Sequence, residues 1–319
     1  MMARLYRAHS FSCKHIFRDK LFTHMIQDMI KGVGVALITP FDNYKVDYKA
    51  LERMVEHVIN GGVDYIVALG STAETATLSQ SERQRVLRFI IEHTKRRVPV
   101  VVGMGGNDTY ALVSELRSYD LSGAVAILSV VPYYNKPSQE GIYRHYMAIA
   151  EASPVPVILY NVPGRTGVNM TAETTLRLAN ASRNIVAVKE ASGNIEQMQR
   201  IIDGRPADFL VLSGDDGITV ELVKRGGNGV ISVAANAFPK RFCDCVHKAM
   251  EGNIAEAETI MADLTEPISL LFREGNPTGI KSMTAAMGIT RAEVRLPLVE
   301  GSDTLYHDIK SAITKYELR

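Results

Sequence analysis

From Gly32 onward, short apolar runs and amphipathic stretches alternate along the chain. The runs at residues 33–39, 65–69, 98–103, 124–128, 157–160, 185–189, 209–213 and 230–233 are rich in Val, Ile and Leu. A continuous apolar run of this length fits a strand buried on both faces, as in a parallel sheet. Between the runs, residues 48–60, 79–95, 109–120, 139–152, 171–179, 195–203 and 217–225 carry apolar side chains at helical spacing. Strand alternating with helix builds βαβ units. Eight such strands predict an α/β fold, a closed (β/α)8 TIM barrel. An open doubly wound sheet is the rival, but it wants a glycine fingerprint after its first strand. Here that strand runs into Ile38-Thr39-Pro40-Phe41-Asp42, which cannot cradle a pyrophosphate in that way.

After the eighth strand, residues 239–251 form the closing helix, and residues 254–272, 277–287 and 302–317 add further helices. The chain therefore divides into an N-terminal extension (1–30), a catalytic barrel (31–252) and a C-terminal helical region (253–319) suited to packing or oligomerisation. The extension scatters Arg, Lys and His without the apolar block of a secretory signal. Asp19 and Asp28 set it apart from an acid-poor transit peptide, and Met25 or Met29 is the expected true start. Disorder and no chemistry are expected of it.

Composition narrows the function. A net charge of +1 offers no basic face, so nucleic acid is not an expected partner. No apolar run approaches the roughly 18 residues of a membrane span. Cys13, Cys243 and Cys245 are too few for a disulfide framework, and the last two splay apart on a helix. A reducing, cytoplasmic setting is expected.

Chemistry concentrates at the strand ends, where barrels of this kind place their sites. The sixth run, Ile185-Val186-Ala187-Val188, ends in Lys189-Glu190. A buried ammonium is costly, and an amine relieved of its proton attacks carbonyls to form a Schiff base. The alternative is a lysine whose head snorkels to water. The second strand is followed by Gly70-Ser71-Thr72-Ala73-Glu74-Thr75, whose hydroxyls fit either a relay or a helix N-cap. The fourth leads to Val131-Pro132-Tyr133-Tyr134-Asn135-Lys136-Pro137, a stiff loop with two phenols that would also suit packing. The fifth ends at Tyr160 and carries Arg165 in its loop, suited to gripping a carboxylate. The seventh ends in Ser213-Gly214-Asp215-Asp216 and the eighth holds Ile231. Amine, phenol, hydroxyls and guanidinium at one mouth are what an imine-forming enzyme of keto acids requires. Asp215-Asp216 lacks a nearby histidine, so a structural role is expected rather than a metal. Gly103-Met104-Gly105-Gly106-Asn107-Asp108 reads as a tight βα connection capped by Asn or Asp ahead of Thr109, rather than as a phosphate-binding turn. His57, His93, His145 and His247 lack ligand spacing.

Together these segments resemble the dihydrodipicolinate synthase / N-acetylneuraminate lyase family of pyruvate-dependent class I aldolases, over residues 32–297. The Tyr160-Asn161-Val162-Pro163-Gly164-Arg165-Thr166 and Lys189-Glu190-Ala191-Ser192-Gly193 forms resemble its synthase branch. The resemblance implies condensation of pyruvate with L-aspartate 4-semialdehyde, the first committed step of lysine and diaminopimelate biosynthesis. It implies that Lys189 forms the Schiff base, and that Ser71, Tyr160 and Tyr134 relay protons. Tyr134 would reach across a dimer interface. Thr72 would hold the pyruvate carboxylate and Arg165 that of the semialdehyde, while Gly214 and Ile231 line the pocket through backbone. Neither metal nor organic cofactor is implied. A homotetramer of two tight dimers is.

Two departures mark this chain: Ser71 where synthases usually carry threonine, and Ala73 where many carry glycine. A regulatory lysine site would involve Thr75, Ala76, Asn107 and Tyr133. There, however, Ala111 replaces the acid and Gln80 the histidine of sensitive members, so weak or absent inhibition by lysine is expected. Two other readings stay open. One is a related aldolase or lyase acting on a sugar acid or other 2-keto acid. The other is a non-catalytic keto-acid-binding barrel.

Overall fold

The computed structural model describes residues 20–318, with side chains from residue 25. Cys13 and residues 1–19 lie outside the described residues. Eight parallel strands close a barrel: β1 (Gly32–Ala36), β4 (Tyr65–Ala68), β5 (Val100–Gly103), β6 (Ala126–Val130), β7 (Val157–Asn161), β8 (Ile185–Glu190), β9 (Leu210–Ser213) and β10 (Gly229–Ser232). A small hairpin, β2 (Phe41–Asp42) with β3 (Lys45–Val46), follows the first strand. The barrel is thus the expected α/β fold, with shifted ends. The first strand stops at Ala36 rather than residue 39, because the chain turns toward the hairpin and Pro40 has no N–H to pair. The third begins after Pro99 for the same reason.

The helices around the barrel are α2 (Tyr48–Asn60), α3 (Gln80–Thr94), α4 (Thr109–Ser118), α5 (Gln139–Ala152), the short α6 (Pro163–Thr166), α7 (Ala172–Ala181), α8 (Ile195–Gly204), α9 (Thr219–Lys224) and α10 (Pro239–Met250). Local caps start them. Asp47 accepts from the Ala50 N–H, and Ser79 forms a capping box with Glu82. Asp108 accepts from Tyr110 and Ala111, so the glycine-rich turn after β5 is the capped connection expected. The C-terminal helices α11 (Ile254–Phe272), α12 (Thr278–Ala286) and α13 (Asp303–Lys315) pack against α10 and one another. Among the described residues no helix is long and apolar enough to cross a membrane.

The core has two shells. One fills the barrel interior with Tyr65, Val67, Val101, Leu128, Ile158, Tyr160, Leu212 and Ile231. The other lies between strands and helices. Strand alternation normally assigns residues to these shells in strict turn. Between β7 and β8 the register slips: Val157 pairs with Ile185, but Ile158 pairs with Ala187, leaving Val186 extra. Such a bulge exchanges the faces of every later residue. Ile185 and Val188 consequently belong to the outer shell, Val186 and Ala187 to the inner. Lys189 then points into the barrel and Glu190 toward the helices.

The N-terminal segment departs from expectation. Residues 20–29 form a helix, α1 (Lys20–Met29). Ile26 and Gln27 are buried, and Ile30 is fully enclosed with the barrel-interior side chains. Ile30, just past the end of that helix, closes the barrel floor from below. At the same end, Asp64 accepts from the Val33 N–H at 2.7 Å and pairs with His247 Nε2 at 2.7 Å. Gly32 beside it stands at φ +80°, and a Cβ there would come within 2.1 Å of the Asp64 carboxylate.

Candidate active site

At the opposite end, the C-terminal ends of the strands surround a cleft of about 200 Å³. Of the residues predicted from sequence, Ser71, Thr72, Tyr160, Arg165, Lys189 and Gly214 line it. Lys189 and Tyr160 are paired neighbours on adjacent strands, and both are buried. The lysine Nζ lies 4.4 Å from the centre of the Tyr160 ring, over its face. Among the described residues, Nζ makes no hydrogen bond or ion pair. Gly214 matters through what it lacks: a Cβ there would stand 2.5 Å from Ala191 Cβ and 3.1 Å from Lys189 Cε.

Glu190, on the other face of β8, fixes this orientation. Its carboxylate accepts from Asn161 Nδ2 at 3.1 and 3.0 Å, from the Ser192 N–H at 2.8 Å and from Gln197 Nε2 at 3.0 Å. Burial pushes its pKa up, against the pull of those donors. Asn161 Oδ1 also accepts from the Met170 N–H at 2.9 Å, tying down the loop that carries Arg165. Sequence reading passed over this network because its members are spread across three elements.

The hydroxyl-rich turn is no helix cap. Ser71–Ala73 forms a single tight turn with no side-chain cap, and Thr75 Oγ1 donates back to the Gly70 carbonyl at 3.0 Å. Thr72 is buried, and its Oγ1 accepts from Asn276 Nδ2 at 3.0 Å. Arg165, exposed on α6, donates from Nη2 to the Asn276 carbonyl at 2.9 Å. Asn276 therefore touches both residues suited to gripping carboxylates. With Phe272 it brings the C-terminal region into the wall of the cleft. The sequence marks residues 273–276 as a polar break between helices, but nothing in it locates that break at the mouth.

Other predicted residues fall elsewhere. Ile231 packs in the barrel interior, one layer below the cleft, and Val233 two residues on takes the wall position. Tyr134 is 88% exposed with φ +72°, outside the cleft of its own chain. Asn107 Nδ2 donates to the Tyr133 carbonyl at 3.2 Å, joining two of the residues suggested for regulation, while Ala76, Gln80 and Ala111 are exposed. Asp215 and Asp216 diverge, as adjacent residues do. Asp216 is buried and accepts from the Val233 and Ala234 N–H groups at 3.2 and 3.0 Å, with burial raising its pKa to about 6. Among the described residues, no cluster of three or more His, Cys, Asp or Glu side chains could hold a metal.

An amine facing a phenol in a desolvated cleft, with hydroxyls and a guanidinium at the rim, can hold a carbonyl compound that carries a carboxylate. Residues 29–316 match the Dihydrodipicolinate synthetase family. The 4-hydroxy-tetrahydrodipicolinate synthase of Phocaeicola vulgatus is 52% identical over 296 residues, covering 92% of this chain and 100% of that protein. That of Parabacteroides distasonis is 52% identical, covering 91% and 98%. Among solved structures, the chloride-inhibited dihydrodipicolinate synthase of Acinetobacter baumannii complexed with pyruvate superposes with a TM-score of 0.88. It is 38% identical and is covered over 100% of its chain and 91% of this one.

Proposed function

The chain belongs to the dihydrodipicolinate synthetase family, and on that premise we propose that it condenses pyruvate with L-aspartate 4-semialdehyde to 4-hydroxy-tetrahydrodipicolinate. The reaction runs through a Schiff base on Lys189. Its amine adds to the pyruvate C2 carbonyl and water leaves, forming an imine. Loss of a methyl proton gives an enamine whose carbon attacks the aldehyde. The substrate's own amino group then displaces Lys189 and closes the ring. Tyr160 moves protons in these steps, with Ser71 and a partner protomer's Tyr134 completing the relay. Thr72 holds the pyruvate carboxylate and Arg165 that of the semialdehyde. Gly214 leaves room for the lysine side chain. The observation that carries this reading is the inward Lys189 Nζ, 4.4 Å from the Tyr160 ring in a cleft that Thr72 and Arg165 also line.

Tyr134 acts between protomers, which its exposure on a rim loop supports, and a homotetramer of tight dimers is the working assembly. Buried free thiols at Cys243 and Cys245 support a reducing, cytoplasmic setting. Residues 253–319 act as part of the barrel's site rather than as a separate domain, since Asn276 and Phe272 reach the cleft. L-lysine inhibits weakly, because no carboxylate stands at Ala111 to meet its amino group and a charged hydrogen bond of roughly 1.5–3 kcal/mol is lost; inhibition at sub-millimolar L-lysine would refute this.

The deciding experiment combines turnover of the two substrates with borohydride trapping of pyruvate on the enzyme, beside Lys189→Ala. Turnover and a trapped adduct that both vanish in the variant support the reading. An adduct without turnover of the semialdehyde moves the activity to another acceptor aldehyde. A folded protein that binds pyruvate without forming an adduct is a keto-acid sensor.

A further inference from the structure

The turn that carries Ser71 and Thr72 is joined to the C-terminal region at a second point. Glu74 ends that turn with its backbone at φ 56°, a left-handed conformation uncommon outside glycine. Its side chain is buried. Oε1 accepts from Lys281 Nζ on α12, 207 positions away, and Oε2 from the Arg295 N–H at 2.8 Å. Lys281 is fully enclosed. Its Nζ also donates to the Glu293 carbonyl at 2.9 Å and lies 4.0 Å from the centre of the Phe41 ring. Arg295 holds the far end of the same segment, donating to the Thr77 carbonyl at 2.9 Å and to both oxygens of Glu82 at 3.0 and 2.6 Å.

A buried ion pair gains little net stability over apolar residues of the same size, because both charges have left water. Its value therefore lies in geometry. Thr72 and Glu74 are two residues apart, and Asn276 sits in the loop just before α12 while Lys281 lies in that helix's first turn, where its N–H donates to the Pro277 carbonyl at 3.0 Å. The contacts Thr72–Asn276 and Glu74–Lys281 thus join the same two segments side by side. The first is a single neutral hydrogen bond at the cleft. The second is charged, dry and out of reach of substrate.

We infer that Glu74 and Lys281 are positioning residues: their pair sets the spacing between the Ser71–Ala73 turn and the Asn276 loop, so that Thr72 meets the pyruvate carboxylate. This rests on the synthase reading above and adds to it a part for the C-terminal region. Neither side chain lines the cleft, so both act through Thr72 and Asn276.

The test is a double variant, Glu74→Gln/Lys281→Met, which removes both charges while keeping most of the volume. Misplacing a binding group by about 1 Å can cost on the order of 10²-fold. The pyruvate concentration for half-maximal borohydride trapping on Lys189 is expected to rise at least about tenfold, with the pyruvate KM in parallel. The semialdehyde KM should change much less, because Arg165 contacts the loop only through a backbone carbonyl. Glu74→Asp keeps the charge but shortens the reach by one methylene, so it should shift pyruvate capture in the same direction. It decides the matter alone if the double variant does not fold. A purely structural pair would lower the melting temperature without moving the pyruvate dependence, and unchanged half-maximal trapping in a folded variant overturns the inference. Failure of the parent protein to trap pyruvate at all overturns the synthase reading, and this inference with it.

Discussion

Lys189 and Lys281 are both buried in one molecule, and they are buried in opposite ways. Lys281 is enclosed with a carboxylate, a carbonyl and an aromatic face around its ammonium. Desolvation pulls its pKa down to about 8, against the attraction of Glu74. Lys189 has only the Tyr160 ring beside Nζ among the described residues, and it opens on a cleft. A buried cation with a full set of partners is a joint between segments. One left without an anion, where a small molecule can reach it, is a reagent. The same contrast runs along the barrel axis. On the floor, Asp64 is committed to the Val33 N–H and to His247, whereas at the mouth Ser71 and Arg165 stay exposed.

Exchanging each lysine for methionine separates the two roles most sharply. Lys189→Met should lose turnover by roughly 10³-fold or more, while its stability holds or rises, because a buried polar tip with no hydrogen-bond partner among the described residues is replaced by an apolar chain. Lys281→Met should lose about 3–5 kcal/mol in chemical denaturation, because Glu74 is left buried without its counter-charge. Equal destabilisation by both variants would erase the distinction. Next in size is Arg165→Ala. A charged hydrogen bond is worth about 1.5–3 kcal/mol, so the semialdehyde KM should rise roughly 10- to 100-fold with pyruvate trapping intact. A matching rise for pyruvate would mean that the rim does not discriminate between the two carboxylates.

The smallest effect belongs to the floor. The Asp64 hydrogen bond raises the pKa of His247, outweighing its partial burial. Its folded pKa therefore lies above the ordinary value near 6.5, and its stabilisation is complete below that value and fades as pH rises through the folded one. The stability lost in His247→Asn should be largest near pH 6 and shrink toward alkaline pH. It should stay under about 1 kcal/mol, since solvent screens a half-exposed pair. Melting curves across pH measure it, and a loss that grew with pH would reverse the assignment.

Much of the site was legible before folding. Barrel strands are buried on both faces, so their apolar runs stand out. With eight strands counted, each strand end is a place to look, which singles out Lys189, Tyr160 and Arg165; the hydroxyls of Ser71 and Thr72 fit a helix N-cap as well until the resemblance gives them roles. What could not be read were partnerships between distant segments. Asn276 lies 204 positions from Thr72, and Glu74 and Lys281 lie 207 apart, with no periodicity to connect them. Ile26 and Ile30 lie in a stretch with no sustained pattern, because a ten-residue helix that buries few of its described side chains is too short to show one.

The sequence by itself determined the barrel, the count of its strands and the residue types at its mouth, because those follow from local hydrophobic spacing. Tertiary structure decided which way Lys189 points. Counted from Ile185 by strict alternation, the lysine would face the helices and Glu190 the cleft. The extra residue at Val186, forced by the register between β7 and β8, exchanges the two. A bulge is a property of two strands paired together, and neither strand's sequence contains it.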